Sequence, residues 1–148
     1  MIIFPPRKSA RSFSVLGGQT FTTKGNFTNR GSLTLGPAST LAVNGSFSET
    51  ASAALTIQIG GTSASPTIGS ITTASTGTVT LAGSLTVTSS VTPAVGSAFT
   101  IVNNEGSSAV SGTFAGLPEG AILMVNGMTF QISYVGGTGN DVVLTRTA

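Results

Sequence analysis

The sequence predicts an all-β fold in which parallel β-helix or solenoid-type repeats lead into an antiparallel, β-rich C-terminal cap. Three observations predict it: a recurring short phrase, a composition nearly empty of charge, and the lack of any stretch with helical periodicity. The phrase is Gly, then a small polar residue, then an apolar-Thr-apolar strand. It occurs as Gly31-Ser32-Leu33-Thr34-Leu35, Gly77-Thr78-Val79-Thr80-Leu81 and Gly83-Ser84-Leu85-Thr86-Val87, with variants Ser39-Thr40-Leu41-Ala42-Val43 and Ala54-Leu55-Thr56-Ile57. Each unit alternates with period two, as a half-buried strand does. Gly, Asn and Ser between the units supply tight turns. Many similar short strands in series point to a stacked architecture, such as a solenoid or a layered sandwich.

The elements follow in order. Residues 1–18 read as an extended basic arm: Pro5-Pro6 favours a polyproline-like backbone, and Arg7, Lys8 and Arg11 keep it soluble. Phe13, Val15 and Leu16 alternate incompletely and can form a strand before the Gly17-Gly18 hinge. The arm is read either as a disordered terminus or as a strand that pairs with a neighbouring subunit. Its apolar residues Ile2, Ile3, Phe4, Phe13, Val15 and Leu16 are the candidate self-association residues. Residues 19–91 carry the repeats. Phe21, Phe27, Leu33, Leu35, Leu41, Val43, Phe47, Leu55, Ile57 and Ile59 face inward, and turns fall at Lys24-Gly25-Asn26, Gly36-Pro37, Asn44-Gly45 and Gly60-Gly61. A Ser/Thr/Ala-rich bridge buries Ile68 and Ile71, and Val79, Leu81, Leu85, Val87 and Val91 resume the inward set. Residues 92–148 form the cap. Strands at Phe99–Val102, Ile122–Val125, 128–135 and 141–145 are expected. Asn126-Gly127 is a hairpin signal because both residue types tolerate positive φ.

Composition narrows the chemistry. The chain has 148 residues, long enough for one domain. Only 7% are charged, against roughly 25% in an ordinary soluble domain, so little repulsion keeps copies apart and open sheet edges must be managed or used. With no Cys and no His, disulfides, thiol nucleophiles and the Ser-His-Asp and Cys-His catalytic pairs are excluded. Zinc, copper and haem sites lose their usual ligands, and no cofactor is expected. The net charge of +2 owes much to the arm. The body has neither the clustered Lys and Arg nor the stacking aromatics that nucleic acid requires. No apolar run approaches ~20 residues, so no membrane insertion is expected. Met1-Ile2-Ile3-Phe4 is cut short by Pro5-Pro6 before a signal-peptide core can form.

A family resemblance rests on Ala98-Phe99-Thr100-Ile101-Val102-Asn103-Asn104, on Val110-Ser111-Gly112-Thr113-Phe114-Ala115-Gly116-Leu117-Pro118-Glu119-Gly120, on Phe130-Gln131-Ile132-Ser133-Tyr134 and on Gly136-Gly137-Thr138-Gly139-Asn140-Asp141-Val142-Val143-Leu144-Thr145. This stretch resembles the C-terminal portion of bacterial surface and autotransporter-passenger-like β-repeat proteins. The upstream Gly-Ser-Leu-Thr-Leu units are similar to the β-helical repeats that precede such a segment, so the resemblance covers about residues 19–146. It implies a right-handed parallel β-helix with a β-rich cap, placed outside the cell or on its surface. It implies an adhesin, a surface-layer piece or a matrix component. No functional residues carry over from the group.

Two sets of residues are weighed as sites. Gly136-Gly137-Thr138-Gly139-Asn140-Asp141 fits a calcium-binding nonapeptide of β-rolls, with Asp141, Gly137 and Gly139 as candidates. Calcium takes six to eight oxygen ligands, and one copy supplies about half a site, so the competing reading is a Gly-rich turn with Asp141 bonding backbone. Glu105 and Glu119 both fall in cap loops and are the conceivable carboxylate pair of a glycan-cleaving enzyme. Solvated loop acids are the simpler reading. The leading expectation is a non-enzymatic, extracellular structural protein whose partners are copies of itself, assembled through strand contacts into a filament or surface layer. The alternative is an adhesin-type module that recognises surface glycans, and a polysaccharide-cleaving enzyme stands third.

Overall fold

The structure is a computed structural model and describes residues 11–148. It is all-β, with no helix among the described residues. The strands fall into three sheets that the chain visits in rotation. The first circuit is β1 (Ser12–Val15), β2 (Thr20–Thr22) and β3 (Phe27–Asn29), and the second is β4 (Ser32–Leu35), β5 (Thr40–Val43) and β6 (Phe47–Glu49). The third opens with β7 (Ala54–Gly61), which doubles back as an antiparallel β8 (Pro66–Ile68), then continues through β9 (Ser70–Thr73) and β10 (Val79–Thr80). The fourth holds β11 (Ser84–Ser89), β12 (Ala98–Asn103) and Ser111, which bridges Thr80 in parallel. The meander β13 (Ile122–Val125), β14 (Met128–Gly136) and β15 (Asp141–Arg146) ends the chain.

Each circuit lies in parallel register on the one before. Phe13, Leu33, Leu55 and Leu85 are consecutive partners, as are Val15, Leu35, Ile57 and Val87. In the second sheet Phe21, Leu41, Ile71 and Val102 follow one another, and in the third Phe27, Phe47 and Val79 do. Like stands on like because a parallel register repeats the inward positions at every strand. The Phe27 and Phe47 rings are stacked with centroids 6.1 Å apart and planes within 10°. A fully buried Leu or Phe contributes roughly 1.5–3 kcal/mol; these columns form the core between the parallel strands, and Phe99, Phe130, Ile132, Val142 and Leu144 continue it under the cap. The outward positions carry hydroxyls, including the column Ser14, Thr34, Thr56 and Thr86.

The parallel ladders reach further than the repeat did in the sequence. Phe13 and Val15, assigned there to the arm of residues 1–18, sit in β1 on this chain's own β4. The reason is pattern: Ser12-Phe13-Ser14-Val15 matches Ser32-Leu33-Thr34-Leu35 position for position. At the other end β12 lies past residue 91, yet pairs in parallel with β9. In the second sheet strand direction first reverses at β15, which runs antiparallel to β12, followed by β14 and β13. The hairpin between β13 and β14 turns at Asn126 and Gly127, both at positive φ (49° and 77°), as its two-residue loop requires.

Stacking also fixes the corners. Gly45, Gly77 and Gly106 lie over one another between the second and third sheets. A Cβ on Gly77 would overlap the Gly45 carbonyl oxygen, and one on Gly106 would overlap that of Gly77. Gly77→Ala should therefore lose on the order of 2 kcal/mol, read as a lower urea midpoint at unchanged slope.

One acid is folded inside. Glu49 is the partner of Asn29 in the third sheet and is 5% exposed. Asn29 Nδ2 donates to its Oε2 at 3.2 Å, while Oε1 has no hydrogen-bond partner. Burial pushes the carboxyl pKa up, opposed by the Asn29 amide and by the nearby backbone of Gly83 and Ala82. Folding thus favours the protonated form. Stability contributed by this residue is full at acid pH and is lost as pH rises from the ordinary carboxylate value through the raised folded one. Glu49→Gln should remove that fall and match or exceed the wild type at neutral pH, as thermal melts across pH 3–8 would show.

Candidate functional site

A polar cavity of about 540 Å³ lies where the loop after β12 meets the turn between β14 and β15, lined by Asn103, Glu105, Ser107, Thr138 and Asn140 among others. Asp141 holds the two segments together. The Asn104 N–H donates to Asp141 Oδ1 at 2.9 Å and the Thr138 N–H to Oδ2 at 3.3 Å. The buried Asn104 side chain closes its own loop, donating to the Ser108 carbonyl at 2.9 Å and accepting from the Gly106 N–H at 3.1 Å. Asn140 crosses over and donates to the Gly106 carbonyl at 2.7 Å.

Both oxygens of Asp141 are therefore engaged by backbone, and the carboxylate is 5% exposed. Gly137, the first predicted calcium partner, is in the left-handed region (φ 54°), and a Cβ there would overlap Asp141 Oδ2. Gly139 is also at positive φ, at 110°. These glycines let the turn fold over the carboxylate. No cluster of three or more acidic side chains suited to a metal occurs among the described residues. The two cap acids serve separate loops. Glu105 lines the cavity and accepts from Asn103 Nδ2 at 2.8 Å. Glu119 is not part of that lining, and its Oε1 accepts the Tyr134 N–H at 2.7 Å. The Tyr134 hydroxyl accepts from the Phe114 N–H at 3.0 Å and donates to the Leu117 carbonyl at 2.6 Å, which pins the same loop to β14. Burial, with a smaller push from Glu119, raises the Tyr134 pKa against the Phe114 bond.

The second candidate region is the pair of free strand edges. The seven-stranded sheet runs β13-β14-β15-β12-β9-β5-β2, so β2 and β13 each have one neighbour among the described residues. Of the predicted self-association residues, Ile2, Ile3 and Phe4 lie outside the described residues. Val15 is buried in the core, Phe13 packs edge-to-face on Phe21 at 5.3 Å, and Leu16 is half exposed. The sequence reading did not single out Ile122 and Met124, which are 53% and 63% exposed on β13. The signal was there: Ile122-Leu123-Met124-Val125 does not alternate, so one apolar pair must face away from the core.

Comparison with known proteins gives no relatives: no family model, curated protein or solved structure matches this chain. No helix among the described residues is long and apolar enough to cross a membrane.

Asp141→Ala should free the loop after β12 from the turn after β14. Hydrogen bonds to a charged acceptor contribute about 1.5–3 kcal/mol each at most, so a loss of about 2–4 kcal/mol is expected, with raised amide exchange confined to residues 103–108 and 136–141.

Proposed function

We propose that the chain is a right-handed parallel β-helix closed at one end by its antiparallel cap, and that it serves as a non-enzymatic, extracellular structural protein of the bacterial surface type. Three parallel strands per circuit and a first circuit of twenty residues support the helical reading. The strong preference of parallel crossovers for one hand supports its handedness. In this reading the chain associates with copies of itself through strand contacts, into a filament or a surface layer. The observation that carries it is the seven-stranded sheet with a free strand at each end, in a chain with only 7% charged residues. Free edges are templates for further strands, and so little charge does little to prevent them meeting.

A second reading, an adhesin-type module for surface glycans, draws on the polar cavity beside Glu105 and on the outward hydroxyl columns. Sedimentation velocity and negative-stain microscopy over a range of concentrations separate the two. Species that grow with concentration are expected. A monomer at every concentration, together with retention on a defined glycan, would replace the structural reading with the adhesin one.

A further inference from the structure

We propose that copies join head to tail, with β2 of one copy adding as an antiparallel strand to β13 of the next. The inference rests on the self-association reading and names its junction. Strand direction follows from the observed pairings. β2, β5, β9 and β12 run parallel, and β15, β14 and β13 each reverse the strand before. β13 therefore runs opposite to β2, and a copy related by translation along the sheet presents β2 antiparallel to it.

Face matching sets the register. Phe21 packs toward the core of β2, while Thr20 and Thr22 are exposed. On β13 Leu123 and Val125 face inward and Ile122 and Met124 outward. A slip of one residue would put Phe21 on the solvent face. With Phe21 opposite Leu123, Thr22 meets Ile122 and Thr20 meets Met124, so the exposed apolar pair is covered. The same register sets Lys24, just beyond β2, opposite Gly120 and next to Glu119.

Charge supports this register. Five of the six basic residues lie at or before Arg30, and all four acids lie at or after Glu49. Exposed Lys24 follows β2 and exposed Arg30 follows β3 in the same first circuit, while exposed Glu119 lies just before β13, its Oε1 turned to the Tyr134 N–H of β14. Two β2 ends would repel each other. A β2 end and a β13 end attract, which sets orientation more than strength. The contact is between different surfaces and leaves both ends open, so it propagates.

The test is a charge exchange at exposed positions. Thr20→Glu/Thr22→Glu in one chain and Ile122→Lys/Met124→Lys in another should each raise the concentration needed for assembly at least about tenfold. Both should keep cooperative melting and a wild-type far-ultraviolet spectrum. A one-to-one mixture of the two, or a single chain with all four changes, should assemble again. Lys24→Glu alone, in an exposed turn, should weaken assembly most at low salt. Sedimentation velocity reads every arm. Wild-type assembly that survives either pair, or a mixture that stays monomeric, overturns this junction and leaves self-association standing. A wild type that never assembles overturns the self-association reading itself.

Discussion

The constraint on which the rest of this structure depends is the spacing of stacked strands. Parallel neighbours lie roughly 4.8 Å apart, and every circuit must come back to that distance on all three sheets at once. Inside, the result is columns of matching apolar residues, because a wide side chain over a narrow one would leave a gap or a clash. At the corners, where backbones meet most closely, the result is the column Gly45, Gly77 and Gly106, in which Gly77 and Gly106 each lie against the carbonyl of the glycine below and Gly45 lies against Asn26. Extra length is placed mainly outside the stack. The third circuit, across which the Thr78 hydroxyl reaches Ser46 32 residues away, places most of its added residues in the β7–β8 excursion and keeps its strands in register.

Much of this was legible in the sequence because the constraint acts on every circuit alike. The Gly-Ser-Leu-Thr-Leu phrase records the corner, the outward hydroxyl and the inward pair in one line. Asn126-Gly127 announced its hairpin for the same local reason. The first strand was harder to read. Ser12-Phe13-Ser14-Val15 has the inward pair but Arg11 where the phrase has glycine, and its basic surroundings gave it the look of an arm. The limits at residues 19 and 91 followed local composition, whereas the ladders follow pairing partners twenty to thirty residues away. Periodicity shows that a strand exists and which face is buried, but not where its neighbour lies.

The acids show the limit at the level of sites. Four carboxylates looked alike in the sequence, and the fold gives them different surroundings. Glu49 is drawn inside because its position in β6 is an inward one, above Asn29, and half of its carboxylate goes unpartnered. Asp141 fits the calcium pattern by residue type, since a Gly-rich turn that wraps a cation can equally wrap its own carboxylate. Which outcome prevails depends on whether backbone N–H groups from another loop reach it, and here that of Asn104 does. Glu119 closes the loop below Tyr134, and Glu105 alone lines the cavity. No sequence spacing encodes such assignments, because the partners come from different circuits.

The cap changes what kind of assembly the stack can support. A stack with two bare ends would extend by laying one first circuit on another last circuit, three parallel strands at a time. Here β15, β14 and β13 extend one of the three sheets with strands of alternating direction, so that sheet no longer ends in a template for parallel stacking. What that sheet presents instead is a single strand of reversed direction, with an apolar outer face that is unusual for an exposed edge. Its short length and the charged residues gathered at the opposite end limit nonspecific pairing, because few strands combine the right direction, an inward Phe and a nearby cation. The first circuit of this same chain combines all three. In the proposed junction, a cap that stops at β13 replaces an indiscriminate sticky end with one that fits a particular partner strand.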